Sequence, residues 1–283
     1  MFVPCSDEEE ISFAGFTFVL PAISVGNVGQ LAIDLLIHNL CLKRVGYFYD
    51  DCILPLVGNN PFDEPDCNDG SLVTSSEVFM CDQSKIVVLQ LRAPLAKGCR
   101  QIFCDNIAKW VKKSEMKQTV LLTSSIASER SDSQIQNGPF RYLLSPKGKH
   151  LEKTFLDQYG WRCLEERHAS SVVLVVKNEK QKESERNRDV FLSGGGYTKS
   201  FYHTCCRESL PLATFLVFCA EGDNIPEATI LLYHLNIWME FKRKKNSNKN
   251  CESNNLAKTL EVEWHEPPSW KNLYGTPRYS TIF

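Results

Sequence analysis

The 283-residue sequence carries little net charge. Its 32 Lys and Arg residues are nearly matched by 34 Asp and Glu residues, so the formal net charge is −2 and the pI is near 6.3. A protein that binds nucleic acid needs a concentrated basic surface to neutralise phosphates. The balance of charge therefore argues against a nucleic-acid partner and is typical of a soluble protein. With 43% hydrophobic residues the chain can nevertheless bury a full core.

The sequence also lacks the features of a targeting or membrane-spanning segment. Its beginning is acidic at residues 7–10, where a signal peptide would be basic. No apolar segment follows that is long enough to be cleaved as a signal or to span a bilayer. We therefore expect no membrane association.

None of the twelve cysteines forms a C-x-x-C pair. Cys99 and Cys104 are five residues apart and Cys205 and Cys206 are adjacent, whereas zinc sites typically use tighter, repeated pairs. We expect no metal site. Most of the cysteines are interpreted as reduced, small hydrophobic residues of a cytoplasmic and nuclear protein.

Residues 16–36 have the order strand, glycine turn, helix, which is a common phosphate-binding arrangement. Phe16–Leu20 is an apolar run that predicts a buried strand, and apolar residues recur at helical spacing from Val28 onwards. A dinucleotide fingerprint would need three glycines and a P-loop would need a lysine, but only Gly26 and Gly29 are present. These two glycines are interpreted as structural residues of a tight turn with close helix–strand packing, and no cofactor is expected.

Strand-like and helical segments alternate along the rest of the chain. The predicted strands are 45–49, 53–57 (with Pro55 suggesting an edge), 77–80, 85–91, 119–123 and 171–176, and the predicted helices are about 102–111, 149–158 and 224–241. Loops are predicted at 58–76 and 177–189, and a polar insert at 244–260. After residue 190 helical material is expected to dominate, with Leu212–Ala220 as one apolar run. The pattern predicts a single three-layer α/β/α domain over residues 1–275, with a mixed or parallel sheet, and a flexible tail at 276–283.

One enzyme hypothesis rests on Ser24. The segment Ala22–Gly26 is one residue from the G-x-S-x-G nucleophile elbow and lies between a strand and a helix. Two observations weaken the hypothesis: this elbow follows the first clear strand, and no downstream carboxylate and histidine pair stands out. His203, His234 and His265 all have settings that packing or surface exposure explains. The sequence favours a protein without an enzymatic role, with a serine hydrolase or phosphorylase-like enzyme using Ser24 as the alternative.

Two further segments have both a structural and a functional interpretation. Gly194–Ser200 resembles a P-loop in which Thr198 replaces the glycine before the lysine, so we interpret it as a tight connector between a Val190–Leu192 strand fragment and a helix. A phosphate or other anion on its backbone amides is the alternative. Lys242–Lys245 is interpreted as a set of cations at a helix C-terminus, with a nuclear import signal as the alternative.

A binding protein needs surfaces rather than a catalytic cluster. The segment Asn27–Leu40 is nearly continuously apolar, so its helix must be buried on both sides or lie beside a partner. The second candidate surface is aromatic and consists of Trp264, Trp270, Tyr274, Tyr279 and Phe283.

Five segments, in order along the chain, resemble the proteasome assembly chaperone 2 family. They are Pro21–Ala32, Leu56–Pro61, Pro139–Leu144, Gly194–Gly196 and Ala220–Pro226, and the resemblance extends from residue 1 to about residue 275. It implies a non-enzymatic chaperone that pairs with proteasome assembly chaperone 1 and helps to build the α-subunit ring of the 20S proteasome.

The resemblance also implies a partner-binding tail. Relatives in this class of chaperone insert a tail that ends in hydrophobic-tyrosine-any residue between α subunits. This chain departs from the pattern, because its penultimate residue is Ile282 and its nearest tyrosine is Tyr279. Tyr279, Ile282 and Phe283 are the candidate partner-binding residues, and an unattached frayed end is the alternative.

Overall fold

The computed structural model describes residues 1–6, 11–63, 70–136, 138–165, 190–241 and 263–272. Several predicted features lie outside these residues: the strand 171–176, the loop 177–189, the basic run 242–245, the polar insert 244–260 and the tail with Tyr279, Ile282 and Phe283.

The described residues form a large sheet, a small two-stranded sheet and five α-helices. The strands are β1 (Phe2–Pro4), β2 (Thr17–Pro21), β3 (Lys43–Phe48), β4 (Val57–Asn59), β5 (Leu72–Thr74), β6 (Ser76–Cys81), β7 (Ile86–Leu91), β8 (Gln118–Ile126), β9 (Phe140–Leu144) and β10 (Leu212–Cys219). The helices are α1 (Val28–Leu40), α2 (Arg100–Lys113), α3 (Asp132–Ile135), α4 (Thr198–Arg207) and α5 (Ile225–Met239).

The large sheet has eight strands in the order β1-β3-β6-β7-β2-β8-β10-β9. Its four central strands, β7, β2, β8 and β10, are parallel. The strands on either side are antiparallel to their neighbours. Parallel strands are normally buried on both faces, which explains why β7 and β10 are nearly continuous apolar runs, interrupted only by Gln90 and Thr214, rather than alternating patterns.

Alternate residues of the central strands enter two separate cores. Phe18 on β2 packs in one core with Phe103 of α2 and Phe201 of α4. Its neighbour Val19 points to the opposite face and packs in the other core, with residues of α1 and α5. The α/β/α layering and the mixed sheet predicted from the sequence are therefore confirmed.

The structure corrects the prediction for the apolar run that begins at Leu212. The sequence pattern predicts mainly helical structure in this region, but Leu212–Cys219 is β10, which pairs with β8 on one side and β9 on the other. Every residue of β10 is buried. A short apolar run that is buried on all sides has no polar face, so its periodicity cannot separate a helix from a central strand.

Other element boundaries also differ from the prediction. Residues 53–56 are not a strand, since Ile53 forms only an isolated bridge with Leu95, and both β4 and β5 fall largely within the predicted loop 58–76. The predicted helix at 149–158 is instead a 3₁₀ segment, Pro146–Leu151, followed by a π-helical turn, Thr154–Gln158. The Val190–Leu192 fragment is not a strand.

Helix α1 is covered by its own chain. Residues Leu31–Ile37 are all buried, and α5 packs beside the helix. Its last turn is covered too, because the side chain of Asn39 exchanges hydrogen bonds with the backbone of His265, and the ring of His38 stacks on Phe62. Of the two alternatives that the sequence left open, burial on both sides is the one observed. This helix therefore gives no argument for a partner.

The described part of the predicted aromatic surface belongs partly to the core. Trp270 is buried in the same core as α1 and α5, and Trp264 packs against that core. Among the described helices, none combines the length and apolar character needed to cross a bilayer.

Candidate functional site

The sheet has one place where ligands commonly bind in folds of this kind. The chain leaves β2 through α1 towards the β1 edge, whereas it leaves β8 towards β9 and β10 at the other edge. Because adjacent parallel strands here continue in opposite directions, their carboxyl ends form a topological switch point, where open α/β sheets bind ligands. We call the groups at this point, residues 24–26, 123–126 and 193–198, the switch-point crevice.

Two serine side chains join β2 and β8 across the switch-point crevice. The hydroxyl oxygens of Ser24 and Ser124 lie 2.7 Å apart, and the backbone N–H of Ser124 donates to Ser24 Oγ at 3.1 Å. Ser124 Oγ in turn donates to the carbonyl oxygen of Val25. Both serines are buried. The hydroxyl groups of Ser24 and Ser124, which could otherwise bind a ligand, are thus hydrogen-bonded to each other and to the backbone.

The segment 193–196 lies against the residues that follow β2 and against the end of β8. The backbone N–H of Val25 donates to the Gly194 carbonyl at 2.8 Å, and that of Ile126 donates to the Ser193 carbonyl at 3.0 Å. A Cβ on Gly196 would lie only 2.0 Å from the Ile23 carbonyl oxygen. These contacts support the interpretation of the glycines as a tight connector, which leads into α4 at Thr198.

Gly26 and Gly29 are also in close contact with neighbouring elements. Gly26 has φ +67°, and a Cβ there would lie 2.5 Å from Nδ2 of Asn224, just before α5. A Cβ on Gly29 would lie 2.4 Å from the Leu122 carbonyl oxygen on β8. Contacts this short with a backbone atom exclude a side chain unless the helix moves. The geometry supports a structural role for both glycines.

Ser24 lies where the sequence placed it, between a strand and a helix, but its surroundings differ from those of an activated nucleophile. In the described residues, its hydroxyl is hydrogen-bonded to Ser124 and not to an imidazole. Nδ1 of His234 donates to the Ile230 carbonyl oxygen at 2.8 Å, and the ring of His234 stacks on Phe140. The backbone of His265 pairs with Asn39. Nucleophile activation requires a base within hydrogen-bond reach of the hydroxyl, and these contacts do not provide one.

Titratable groups at the crevice are held in their neutral forms by burial. Burial raises the pKa of Tyr197 well above its ordinary value, so its phenol stays protonated and donates to the Pro21 carbonyl. Burial likewise raises the pKa of the Cys219 thiol, whose Sγ lies 3.5 Å from the Val25 carbonyl oxygen. A thiol with a raised pKa is a poor nucleophile, because the thiolate is the reactive form.

The cysteines are free thiols throughout the described ranges, including Cys99, Cys104, Cys205 and Cys206. Burial raises the pKa of Cys104 to about 12. In the part of the chain that the structure describes, no three His, Cys, Asp or Glu side chains are grouped so that they could hold a metal ion. Cys67 and Cys251 lie outside the described residues.

The sequence prediction missed a second candidate site, which lies on the surface. Strands β4 and β5 pair in antiparallel fashion apart from the large sheet. We call residues 54–59 and 72–75 the β4–β5 arm. Four of its apolar side chains are exposed: Leu54, Leu56, Val57 and Leu72. The signal in the sequence was the segment Leu56–Pro61, which carried part of the family resemblance although its residues contribute little to either core.

Comparisons with known proteins agree with that resemblance. The sequence profile of the PAC2 family matches residues 18–246. Proteasome assembly chaperone 2 of Danio rerio is 40% identical over 276 residues, which cover 98% of this chain and 97% of that protein. Proteasome assembly chaperone 2 of Homo sapiens is 35% identical over 289 residues and is covered completely, as is this chain.

A solved structure shows the same fold. The crystal structure of Pyrococcus furiosus PbaA, an archaeal homolog of proteasome-assembly chaperone, has a TM-score of 0.54 and 17% identity, and the match covers 89% of each chain. At this level of identity the match supports the fold alone.

Proposed function

The chain belongs to the PAC2 family, and we propose that it is a chaperone of 20S proteasome assembly that acts as a heterodimer with proteasome assembly chaperone 1. In this proposal the heterodimer promotes formation of the α-subunit ring, in the cytoplasm and the nucleus. The observation that carries it is the alignment, over the whole chain, with relatives named proteasome assembly chaperone 2.

The switch-point crevice supports a binding role over an enzymatic one. An enzyme on this fold would use the carboxyl ends of β2 and β8 to hold its substrate. Here Ser24 and Ser124 bond to one another, and the segment 193–196 lies against both strands. The serine hydrolase or phosphorylase-like alternative therefore has no observation in its favour beyond the position of Ser24.

The proposed activity is thermodynamic. A chaperone that binds partly assembled α subunits stabilises them by mass action. Occupying their surfaces also withholds those surfaces from incorrect partners, which raises the specificity of assembly. Neither effect needs a cofactor or a chemical step.

We also propose that Tyr279, Ile282 and Phe283 contribute to α-subunit binding. Burying Ile282 and Phe283 in a pocket would contribute about 1.5–3 kcal/mol each. Ordering the backbone would offset part of this gain, at about 1–2 kcal/mol per residue. The segment would then be a supplementary anchor, and deletion of Thr281–Phe283 should weaken ring binding while leaving the heterodimer intact. Unchanged ring affinity in this truncation would contradict the role.

Reconstitution tests the main proposal. The chain, proteasome assembly chaperone 1 and the α subunits are co-expressed, complexes are purified through a tag on the chain, and their components are identified by mass spectrometry. We expect a one-to-one heterodimer that carries α subunits and raises the yield of α rings over a mixture without the chain. The proposal would be overturned if the chain stayed monomeric and bound no α subunit, and if its melting temperature were the same alone as in the mixture.

A further inference from the structure

The β4–β5 arm differs in composition from the rest of the surface. Asp, Glu, Lys and Arg make up 23% of the chain, but residues 53–62 and 70–76 include none of them. The acidic residues of this region are confined to the connection 63–69, of which the structure describes Asp63 alone. Both strands of the arm are therefore without charge.

Strand pairing determines which arm residues share a face. Val57 is opposite Thr74, and Asn59 is opposite Leu72. Because directly opposed residues and residues two apart point to the same side, these four side chains form one face. Val57 is 66% exposed and Leu72 is 54% exposed. Val73 points to the other side and is buried, so the arm has an inner face and an outer face.

The arm is fixed to the large sheet at several points. Next to the end of β7, the backbone N–H of Arg92 donates to the Ser75 carbonyl at 2.8 Å. Within the arm, the backbone N–H of Leu56 donates to Ser75 Oγ at 2.8 Å. Nη1 of Arg44 on β3 donates to the Leu72 carbonyl at 3.1 Å. Ser75 is followed at once by β6, a strand of the large sheet. These bonds hold the arm in place beside the large sheet, so the orientation of its outer face is fixed.

An uncharged strand pair that exposes apolar side chains such as Val57 and Leu72 is normally avoided on a protein surface. Exposed strands usually carry charges, especially lysine, to prevent pairing with other chains. A two-stranded sheet is also only marginally stable in water unless something packs against it. The outer face of the arm has neither protection, which is the pattern expected of a surface that is covered by another protein.

We infer that the outer face of the β4–β5 arm docks the second chain of the heterodimer, through an uncharged apolar surface on that chain. This inference rests on the proposed function. Permanent interfaces are more apolar than interfaces that form and dissociate, and they resemble a core cut in half. An uncharged face also excludes a charged partner surface, because burial of an unpaired charge is strongly unfavourable. The arm therefore fits a partner that stays bound, which in the proposed function is the other chain of the heterodimer.

Paired charge substitutions test the inference. The full chain carrying Val57→Asp with Leu72→Asp is titrated with purified proteasome assembly chaperone 1, and the affinity is measured by calorimetry. Because both side chains are more than half exposed, the variant should fold, which circular dichroism checks. The matched control is Ile135→Asp with Leu156→Asp. These residues are 56% and 53% exposed and flank β9 at the opposite edge of the sheet.

We expect the arm variant to lose roughly 30-fold or more in affinity, as for substitutions at the centre of an interface, and the control to pair like the unaltered chain. A second variant, Val57→Thr with Leu72→Thr, keeps strand-forming side chains and should lose less. If the arm variant and the control bind proteasome assembly chaperone 1 with equal affinity, the inference about the arm is overturned, but the proposed heterodimer is not. Loss of α-subunit binding with pairing intact would overturn it in favour of an α subunit as occupant. An unaltered chain that does not pair would overturn the proposed function itself.

Discussion

The switch-point crevice and the β4–β5 arm reverse the usual distribution of polar and apolar groups. At the crevice, hydroxyls such as those of Ser24 and Ser124 are buried and bonded to one another. On the arm, Val57 and Leu72 are exposed to solvent. Buried polar groups are tolerated when they are satisfied, so the crevice is explained by the fold itself. Exposed apolar side chains on an uncharged strand pair are not, and they indicate where the molecule meets another.

The comparison predicts that glycine substitutions act very differently in α1, next to the crevice, and in the arm. Gly29→Leu should destabilise the protein by more than about 3 kcal/mol, since overpacking alone typically costs about 1–3 kcal/mol and the Leu122 carbonyl cannot move away cheaply. Gly58→Ala, in the arm, is the control, because a Cβ there would lie 4.0 Å from Val73 Cγ2, an ordinary contact. Urea unfolding measures both. A soluble, stably folded Gly29→Leu variant would contradict the close approach of α1 to β8.

Ser24→Ala should weaken the fold and nothing else. Removing the hydroxyl leaves the buried Ser124 N–H without the acceptor it has now, which typically costs about 1–3 kcal/mol. Ser12→Ala is the control, since Ser12 is exposed and its hydroxyl accepts only a long bond of 3.4 Å. Proteasome maturation should fall no more than the folded fraction does. A maturation defect in a fully folded Ser24→Ala protein would revive the enzyme alternative.

The pH dependence of stability should come from outside both regions. Burial lowers the pKa of His234 to about 4, whereas an unfolded histidine titrates near 6.5. As the pH falls from about 6.5 towards 4, the unfolded state takes up a proton that the folded state does not, so the free energy of unfolding should decrease. At pH 5 the decrease is up to about 2 kcal/mol.

Urea unfolding at pH 7.5 and pH 5 measures this effect, with His234→Phe as the control. The ring of Phe can keep the stack on Phe140 but does not titrate. The variant should therefore lose less stability between the two pH values than the unaltered chain. An equal loss in both proteins would assign the pH dependence to other groups.

The smallest effect on stability is expected at the arm. Val57→Ser should change the free energy of unfolding of the isolated chain by less than about 0.5 kcal/mol, because the side chain is mostly in water already. Leu20→Ser on β2 is the contrasting change, since Leu20 is fully buried. Differential scanning calorimetry of the isolated chain compares them. A large loss for Val57→Ser would mean that the outer face of the arm packs on its own chain.

Much of the fold could be predicted because its signals are local. The turn between β2 and α1 follows from an apolar β-branched run, two glycines and a helical repeat, and each of these acts within a few residues. The strands predicted at 77–80 and 85–91 are confirmed for the same reason, as β6 and β7, which pair with each other in antiparallel fashion. The family resemblance, confirmed by the comparisons, also rests on short segments in order along the chain.

The errors arose where burial rather than local pattern decides the structure. Leu212–Cys219 has no alternation because helices cover both faces of β10, so its conformation depends on neighbours that are distant in sequence. Apart from Val57, the residues of β4 and β5 fall in the predicted loop 58–76, because both strands are short and lie among turn-forming residues. Their pairing across residues 57–74 is a tertiary contact.

The sequence alone determined that this protein has an alternating α/β architecture, that Gly26 and Gly29 lie at its first turn, and that it resembles proteasome assembly chaperones. Three features depend on packing between distant parts of the chain: α1 is covered by α5, Ser24 is bonded to Ser124 a hundred residues away, and the arm exposes Val57 and Leu72. They could not be predicted because propensity and turn chemistry act between near neighbours in sequence. Whether an apolar or polar side chain is buried depends on every element that packs around it.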